Sequence, residues 1–431
     1  MKQLRLTLFA LAAILAMGVS AQTNQIKGLW SGKLKVSNIE LSLVFHLDDE
    51  NCTLDSPDQG AKGIAAKMEH TATGIKVSVP SINAVYEGVN MGSSIMGTFK
   101  QHGRTFPLTL TPGALKRNRP QTPVAPYPYQ TKEVSFNNGS AVLKGTLVTP
   151  EGFSRKTPVL LMVTGSGLQN RDEEIYEHKP FAVIADALAR QGIATLRYDD
   201  RGFGESTGSL ATITTEDLKK DALAGIDLLR KQFDNVGILG HSEGGTIGFM
   251  LAAEQKVDFV VSLAAMIVSG EQTLLDQNRW ALQQAGYTQE IIERYCKVLE
   301  GVFDELKVGG NPVLNSEGLP TELAQNLQAV KSQSSTPYMR YFLALELSQS
   351  LSKIKCPVLA LNGTKDRQVD AESNLSLLRK DLSGKKDIRA IEGVNHLFQH
   401  CNTGDVSEYK DIEETIAPET LNIIVAWLKK M

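Results

Sequence analysis

Val236-Gly237-Ile238-Leu239-Gly240-His241-Ser242-Glu243-Gly244-Gly245 is the stretch on which the fold turns. An apolar run of buried-strand length, residues 236–239, enters a Gly-x-Ser-x-Gly sequence, and an apolar run of helical length, residues 245–253, leaves it. A strand that reverses sharply into a helix crowds its own backbone, and only flanking glycines tolerate the crowding, so the serine stands at a tight corner. The letters alone decide little, because the chain carries a second copy. Gly204-Glu205-Ser206-Thr207-Gly208 follows the polar Asp199-Asp200-Arg201-Gly202 and runs into a loop-like segment, residues 209–215. It fails the strand-turn-helix test that Ser242 passes.

A serine hydroxyl needs a base to remove its proton, and elbows of this kind take their partners in the chain order Ser, Asp or Glu, His. Of the seven histidines only His396 and His400 follow Ser242. His396 comes directly after an apolar strand pattern at residues 388–391, where a loop can lower an imidazole beside the elbow. His400 is the weaker choice. Asp366 follows the strand pattern at residues 358–361 through Asn362-Gly363-Thr364-Lys365 and is the expected acid, with Asp370 as its alternative. An oxyanion would need two preorganised donors. The backbone amide of Glu243, at the start of the elbow helix, is one; the turn Thr164-Gly165-Ser166-Gly167 offers the other, Ser166 in preference to Gly167.

Outward from the elbow, apolar strand runs at residues 158–163, 193–198, 259–264, 357–361 and 387–391 alternate with helical patterns, which is the rhythm of a mostly parallel sheet covered by helices. Residues 267–350 break it with consecutive helical stretches, including 273–285 and 288–303, and read as an inserted helical cap. Within it Trp280, Tyr338 and Phe342 are candidate apolar walls for a substrate. Before the sheet, residues 112–130 hold five prolines (Pro112, Pro120, Pro123, Pro126, Pro128) and read as a linker. Earlier still, residues 22–111 offer short alternating segments such as 40–47, 74–79 and 92–99, a small all-β domain. Its role is open between homodimer formation, glycan contact and shielding of a site.

The first residues carry Lys2 and Arg5, an apolar run from Leu6 to Met17, and Val19-Ser20-Ala21 ahead of Gln22, the pattern of a signal peptide cleaved after residue 21. The apolar run is shorter than the roughly 20 residues of a membrane span. An exported, periplasmic or extracellular protein free of the membrane is expected. The 431 residues carry 45 Lys and Arg against 48 Asp and Glu, so no global positive charge favours nucleic acid. Cys52, Cys296, Cys356 and Cys401 are scattered and lack metal-ligand spacing, so they read mainly as core thiols, with a Cys356–Cys401 or Cys296–Cys401 bridge left open. No metal, nucleotide or flavin site is expected, since no glycine-rich phosphate loop or clustered ligand set occurs in the right context.

From residue 131 onward the sequence resembles the α/β-hydrolase superfamily. Asp199-Asp200-Arg201-Gly202-Phe203-Gly204-Glu205-Ser206 is similar to that superfamily's Asp-x-Arg-Gly-x-Gly-x-Ser turn, which there is structural, and this accounts for the second motif. Thr164-Gly165-Ser166-Gly167 followed by Asn170-Arg171-Asp172-Glu173, with a β-rich region before it, resembles secreted bacterial carboxylesterases of the serine aminopeptidase/lysophospholipase-like branch. Thr164 stands where those relatives often show His. The resemblance implies a serine esterase acting on a small-molecule ester through Ser242, His396 and Asp366. A serine exopeptidase using the same groups, and a non-catalytic ligand-binding protein on a hydrolase fold, are the alternatives.

Overall fold

The computed structural model describes residues 26–36, 39–59, 61–113 and 117–431, so the expected signal segment lies outside the described residues. The chain divides into two compact units, Met1–Lys116 and Arg117–Met431. Among the described residues no helix is long and apolar enough to cross a membrane.

The first unit is a nine-stranded antiparallel sheet whose neighbours, counted along the chain, run 4-3-2-1-9-8-7-6-5. Strand residues alternate between core and solvent: in Ala84–Asn90, Ala84, Tyr86 and Gly88 face inward while Glu87 is exposed. Trp30, Phe45, Tyr86 and Phe99 fill the core. The buried Tyr86 hydroxyl donates to the Ile95 carbonyl at 2.9 Å. The strand expected at residues 92–99 starts only at Ile95, because Gly92, at φ +86°, belongs to the preceding turn.

The second unit is built on eight strands: β1 (Tyr129–Asn138), β2 (Ala141–Pro150), β3 (Val159–Val163), β4 (Ala194–Tyr198), β5 (Val236–His241), β6 (Val260–Leu263), β7 (Val358–Gly363) and β8 (Lys386–Ile391). They lie in the order β1-β2-β4-β3-β5-β6-β7-β8. The β1–β2 and β2–β4 pairs are antiparallel and the rest parallel. The near-continuous apolar sequences of β3, β5, β6 and β7 go with burial along their whole length on both faces. Val159, Leu161 and Val163 of β3 join a core with Ile226 and Leu229 of α2 (Thr215–Arg230) and Ile247 of α3 (Glu243–Ala253). Leu160 and Met162 face the opposite way, into a cluster with Phe181 and Leu188 of α1 (Pro180–Ala189) and with Ile424 and Leu428 near the C-terminus.

Between β6 and β7 the chain leaves the sheet for five helices, α4 (Gly270–Gln284), α5 (Gln289–Lys307), α6 (Thr321–Ser334), α7 (Pro337–Ala344) and α8 (Ser348–Leu351), followed after β7 by α9 (Ala371–Asp381) and after β8 by α10 (Pro418–Leu428). The inserted helices have a core of their own. On α5, Ile292, Tyr295, Cys296, Leu299, Val302, Phe303 and Leu306 fall on one face at helical spacing and are buried, with the Thr288 hydroxyl capping the first turn.

The segment expected as a linker, residues 112–130, is mostly part of the second unit. From Arg117 on it belongs to the second unit, and β1 already starts at Tyr129. The Arg119 guanidinium donates to the carbonyls of Tyr176, Lys410 and Ile412 at 2.6–3.1 Å. Gln121 donates to Ile416 O at 2.8 Å and accepts from the Thr415 and Ile416 amides at 2.6 and 3.0 Å. Proline density reports extended backbone; these two side chains fix where that backbone lies.

Candidate active site

The elbow is strained in the manner its sequence requires. Ser242, between β5 and α3, has φ 51° and ψ −120°, a conformation costing about 1–3 kcal/mol that only a tightly determined surrounding sustains. A Cβ on Gly244 would stand 2.0 Å from the Val163 carbonyl oxygen, and one on Gly240 would stand 2.1 Å from the Gly244 carbonyl. Both positions therefore need glycine because backbone passes through the space a side chain would occupy.

Two further strand ends bring the partners. His396, in the loop after β8, and Asp366, in the loop after β7, meet with Nδ1 and Oδ2 2.7 Å apart, both side chains essentially excluded from solvent. The other carboxylate oxygen of Asp366 accepts from the Gln368 and Val369 amides at 2.8 and 2.9 Å. That anchor fixes the carboxylate's plane and leaves one oxygen for the imidazole. With Nδ1 committed to Asp366, Nε2 is the nitrogen left for a serine proton. Ser242 and His396 line one cavity. No hydrogen bond joins the Ser242 hydroxyl to the ring among the described residues; such contacts tighten when substrate is bound.

The alternatives are placed elsewhere. Asp370 caps α9, accepting from the Ser373 amide at 2.8 Å. His400 is half exposed and paired with Glu414 and Glu419 at 2.9 and 2.8 Å. Ser206 of the second motif is buried, donating to Asp199 O at 2.7 Å and accepting from the Lys144 amide at 2.8 Å. It is a turn-holding residue.

Ser166 lies on the turn after β3, and Glu243 opens α3; both line the cavity with Ser242. Neither backbone amide has a protein acceptor among the described residues, so both N–H groups remain for an oxyanion, with the positive end of α3 behind one of them. Behind this turn sits a buried polar layer that sequence reasoning missed. Glu173 Oε1 accepts from the Gly165 amide at 2.7 Å and meets His241 Nδ1 at 2.9 Å. His241 Nε2 meets the His396 carbonyl at 2.9 Å. Asp200 meets the Thr164 hydroxyl at 3.1 Å and accepts from the Gln169 amide at 2.8 Å. Burial, reinforced by repulsion from Glu173 and Glu243, pushes the Asp200 carboxyl up to about 8.

The cavity, about 330 Å³, has Met266, Leu274, Met339, Phe342, Val369 and Leu397 for apolar walls and Gln169, Gln277 and Gln368 among its polar ones. Of the three candidate aromatics, Tyr338 and Phe342 line it; Trp280 does not, and its ring lies under the Arg367 guanidinium, 5.9 Å from the centroid. The half-buried indole is a partner of Arg367 rather than a cavity wall. Tyr338 is more than an apolar wall, since its hydroxyl donates to the buried Glu243 carboxylate, which also accepts from Thr215 at 2.6 Å. Among the described residues no group of three or more His, Cys, Asp or Glu could hold a metal ion.

A mostly parallel eight-stranded sheet, a strained serine elbow at a strand end and an Asp–His pair on later strand ends define an α/β-hydrolase. The family described as serine aminopeptidase, S33, matches residues 177–400, just over half of the chain, and the protein belongs to it. Esterase EstD of Thermotoga maritima is 28% identical over 282 residues, 64% of this chain and 61% of EstD, so the chain spans less than two thirds of that relative. Human monoglyceride lipase is 25% identical over 230 residues, 50% of this chain and 70% of the lipase. Among solved structures, Est1E of Butyrivibrio proteoclasticus with bound ferulic acid aligns at TM-score 0.42 and 16% identity, covering 69% of this chain and 96% of Est1E. The Pyrococcus furiosus esterase Pf2001 aligns at TM-score 0.43 and 15% identity, covering 74% and 98%.

Proposed function

We propose that this protein hydrolyses carboxylic esters through an acyl-enzyme on Ser242. The Ser242 oxygen attacks the ester carbonyl carbon while His396 Nε2 takes its proton, and the carbonyl oxygen becomes an oxyanion facing the Ser166 and Glu243 amides. The bond to the alkoxy oxygen then breaks, and His396 returns the proton to the departing alcohol. Water repeats the sequence against the acyl-enzyme, releasing the acid and restoring the serine. Asp366 holds the imidazole in the tautomer this requires and balances its charge when protonated.

The observation that carries the reading is the 2.7 Å Asp366–His396 contact, anchored by two backbone amides, which holds His396 in the cavity that it lines with a strained Ser242. The names of the relatives, an esterase and a monoglyceride lipase, favour ester over amide. Among the described residues no Lys or Arg lines the cavity, which suits an uncharged acyl group. The test is hydrolysis of 4-nitrophenyl esters of graded acyl length beside aminoacyl anilides, with fluorophosphonate labelling of the wild type and Ser242→Ala. Ester turnover and labelling that both vanish in the folded variant are expected. Anilide turnover matching ester turnover would replace this reading with the exopeptidase one.

A further inference from the structure

The residue before the nucleophile, His241, has no part in the proton transfers just described, yet it is held at both ring nitrogens. His241 is buried, and both of its ring nitrogens face acceptors: Nδ1 meets Glu173 Oε1 at 2.9 Å and Nε2 meets the His396 carbonyl at 2.9 Å. A carbonyl cannot donate, so Nε2 carries a hydrogen. The Glu173 oxygen that faces Nδ1 also accepts from the Gly165 amide at 2.7 Å, an arrangement that an ionised carboxylate and a doubly protonated ring satisfy. The ring centroids of His241 and His396 are 4.6 Å apart.

We propose that His241 is a positioning residue for His396: as a double N–H donor it ties the backbone of the base-bearing loop, through the shared carboxylate of Glu173, to the turn that presents the Ser166 amide. This rests on the esterase reading and deepens it, since it makes the general base and the oxyanion turn one mechanical unit. A neutral imidazole offers one N–H and can hold only one of the two.

The groups that face the ring are few. Glu173 comes from the loop after β3, His396 from the loop after β8 and Asp366 from the loop after β7; α1 and β6 contribute only apolar neighbours, Phe181 and Leu263, around the small void His241 shares with Leu397. Burial pushes the imidazole down, but the charge and hydrogen bond of Glu173, helped by the His396 carbonyl and Asp366, hold it above the ordinary imidazole value. The sign follows: the tie is complete below the ordinary imidazole value and is lost as pH rises through the raised one. Without the Glu173 charge, burial prevails and the tie is lost at lower pH.

The experiment measures kcat, KM and the rate of Ser242 phosphonylation against pH for the wild type, His241→Gln and Glu173→Gln, with thermal melting of each. The wild type is expected to lose kcat at its alkaline end. Glu173→Gln keeps an acceptor for the Gly165 amide but moves that loss down by at least about one pH unit. His241→Gln lowers kcat about tenfold to a hundredfold with KM little changed, and has no alkaline loss, since a glutamine amide does not titrate. Nitrogen-15 histidine spectra of the full wild-type chain near neutral pH should show both His241 nitrogens protonated, assigned by their disappearance in His241→Gln. An unprotonated His241 nitrogen there, or a folded His241→Gln with the wild-type profile, overturns the proposal while leaving the esterase reading intact. A wild type that neither labels nor turns over any ester overturns the esterase reading, and this proposal with it.

Discussion

Replacing Asp366 by asparagine isolates one atom of the proposed machinery. Oδ1 of Asp366 accepts from two backbone amides, Gln368 at 2.8 Å and Val369 at 2.9 Å, while Oδ2 meets His396 Nδ1 at 2.7 Å. Asparagine must keep its oxygen on the two amides, because turning its NH2 toward them would set donor against donor and leave two backbone N–H groups unmet, at about 1–3 kcal/mol each. The NH2 therefore faces His396 Nδ1 and donates to it. That forces the imidazole hydrogen onto Nε2, the nitrogen that has to take the Ser242 proton. Loss of the productive tautomer costs serine hydrolases about 10⁴ in kcat, which is about 5–6 kcal/mol of barrier, whereas the fold keeps all of its backbone partners. Steady-state hydrolysis of 4-nitrophenyl acetate with parallel thermal melting separates the two effects. Asp366→Ala should lose activity and also melt earlier, having orphaned both amides. Asp370→Ala removes the α9 cap, costing about 1 kcal/mol, and should keep wild-type kcat. Retention of activity within tenfold by Asp366→Asn, or a larger loss in Asp370→Ala, would refute the assignment of the acid.

Four other outcomes test separate parts of the structure. Asp200, held protonated at neutral pH with its value raised to about 8, contributes stability at low pH that is lost as pH rises toward that value; Asp200→Asn should flatten the fall in melting temperature across this window, read by scanning fluorimetry. Tyr338→Phe removes a donor to the buried Glu243 carboxylate, so it should destabilise by about 1–3 kcal/mol and raise KM several-fold, as denaturant titration and ester kinetics would report. Gly244→Ala should fail to give a stable elbow, because its Cβ would overlap the Val163 carbonyl, whereas Gly301→Ala, with open space around it on α5, should raise stability by about 0.5–1 kcal/mol in the same melting assay. All four cysteines are unpaired, so thiol titration of denatured, unreduced protein should count four.

Ser242, Asp366 and His396 are legible in the sequence through topology rather than through motif letters. A parallel sheet puts every strand's C-terminal end at one edge, so residues 124 and 30 positions apart along the chain converge once each follows a strand run. The same logic rejected Ser206, which the structure uses to hold Asp199 and Lys144 backbone. What stayed hidden is what depends on side-chain direction. Trp280 and Phe342 both sit on cap helices, and nothing in their spacing says that Phe342 lines the cavity while Trp280 meets Arg367. In the proline-rich segment the prolines report an extended linker backbone, whereas its attachment comes from Arg119 and Gln121 reaching carbonyls far along the chain.

The buried layer behind the oxyanion turn is the sharpest case of this division. Glu173 and His241 are 68 residues apart, and His241 and the His396 carbonyl 155, so no local pattern joins them. One signal was available: an ionisable residue at a position flanked by glycine and the nucleophile, at the end of a strand buried on both faces, must find partners or stay neutral. Its two partners belong to the two loops whose separation decides whether the base can reach the serine and whether the oxyanion donor is in place. An isolated ion pair at that depth adds little to stability against an apolar substitute of equal volume. Its worth lies in direction, because a doubly donating ring fixes two loops relative to the strand that carries the nucleophile, and apolar packing would leave both free to slide. If that is the reason for its presence, substitutions there should damage kcat more than melting temperature, the reverse of what a core leucine would do.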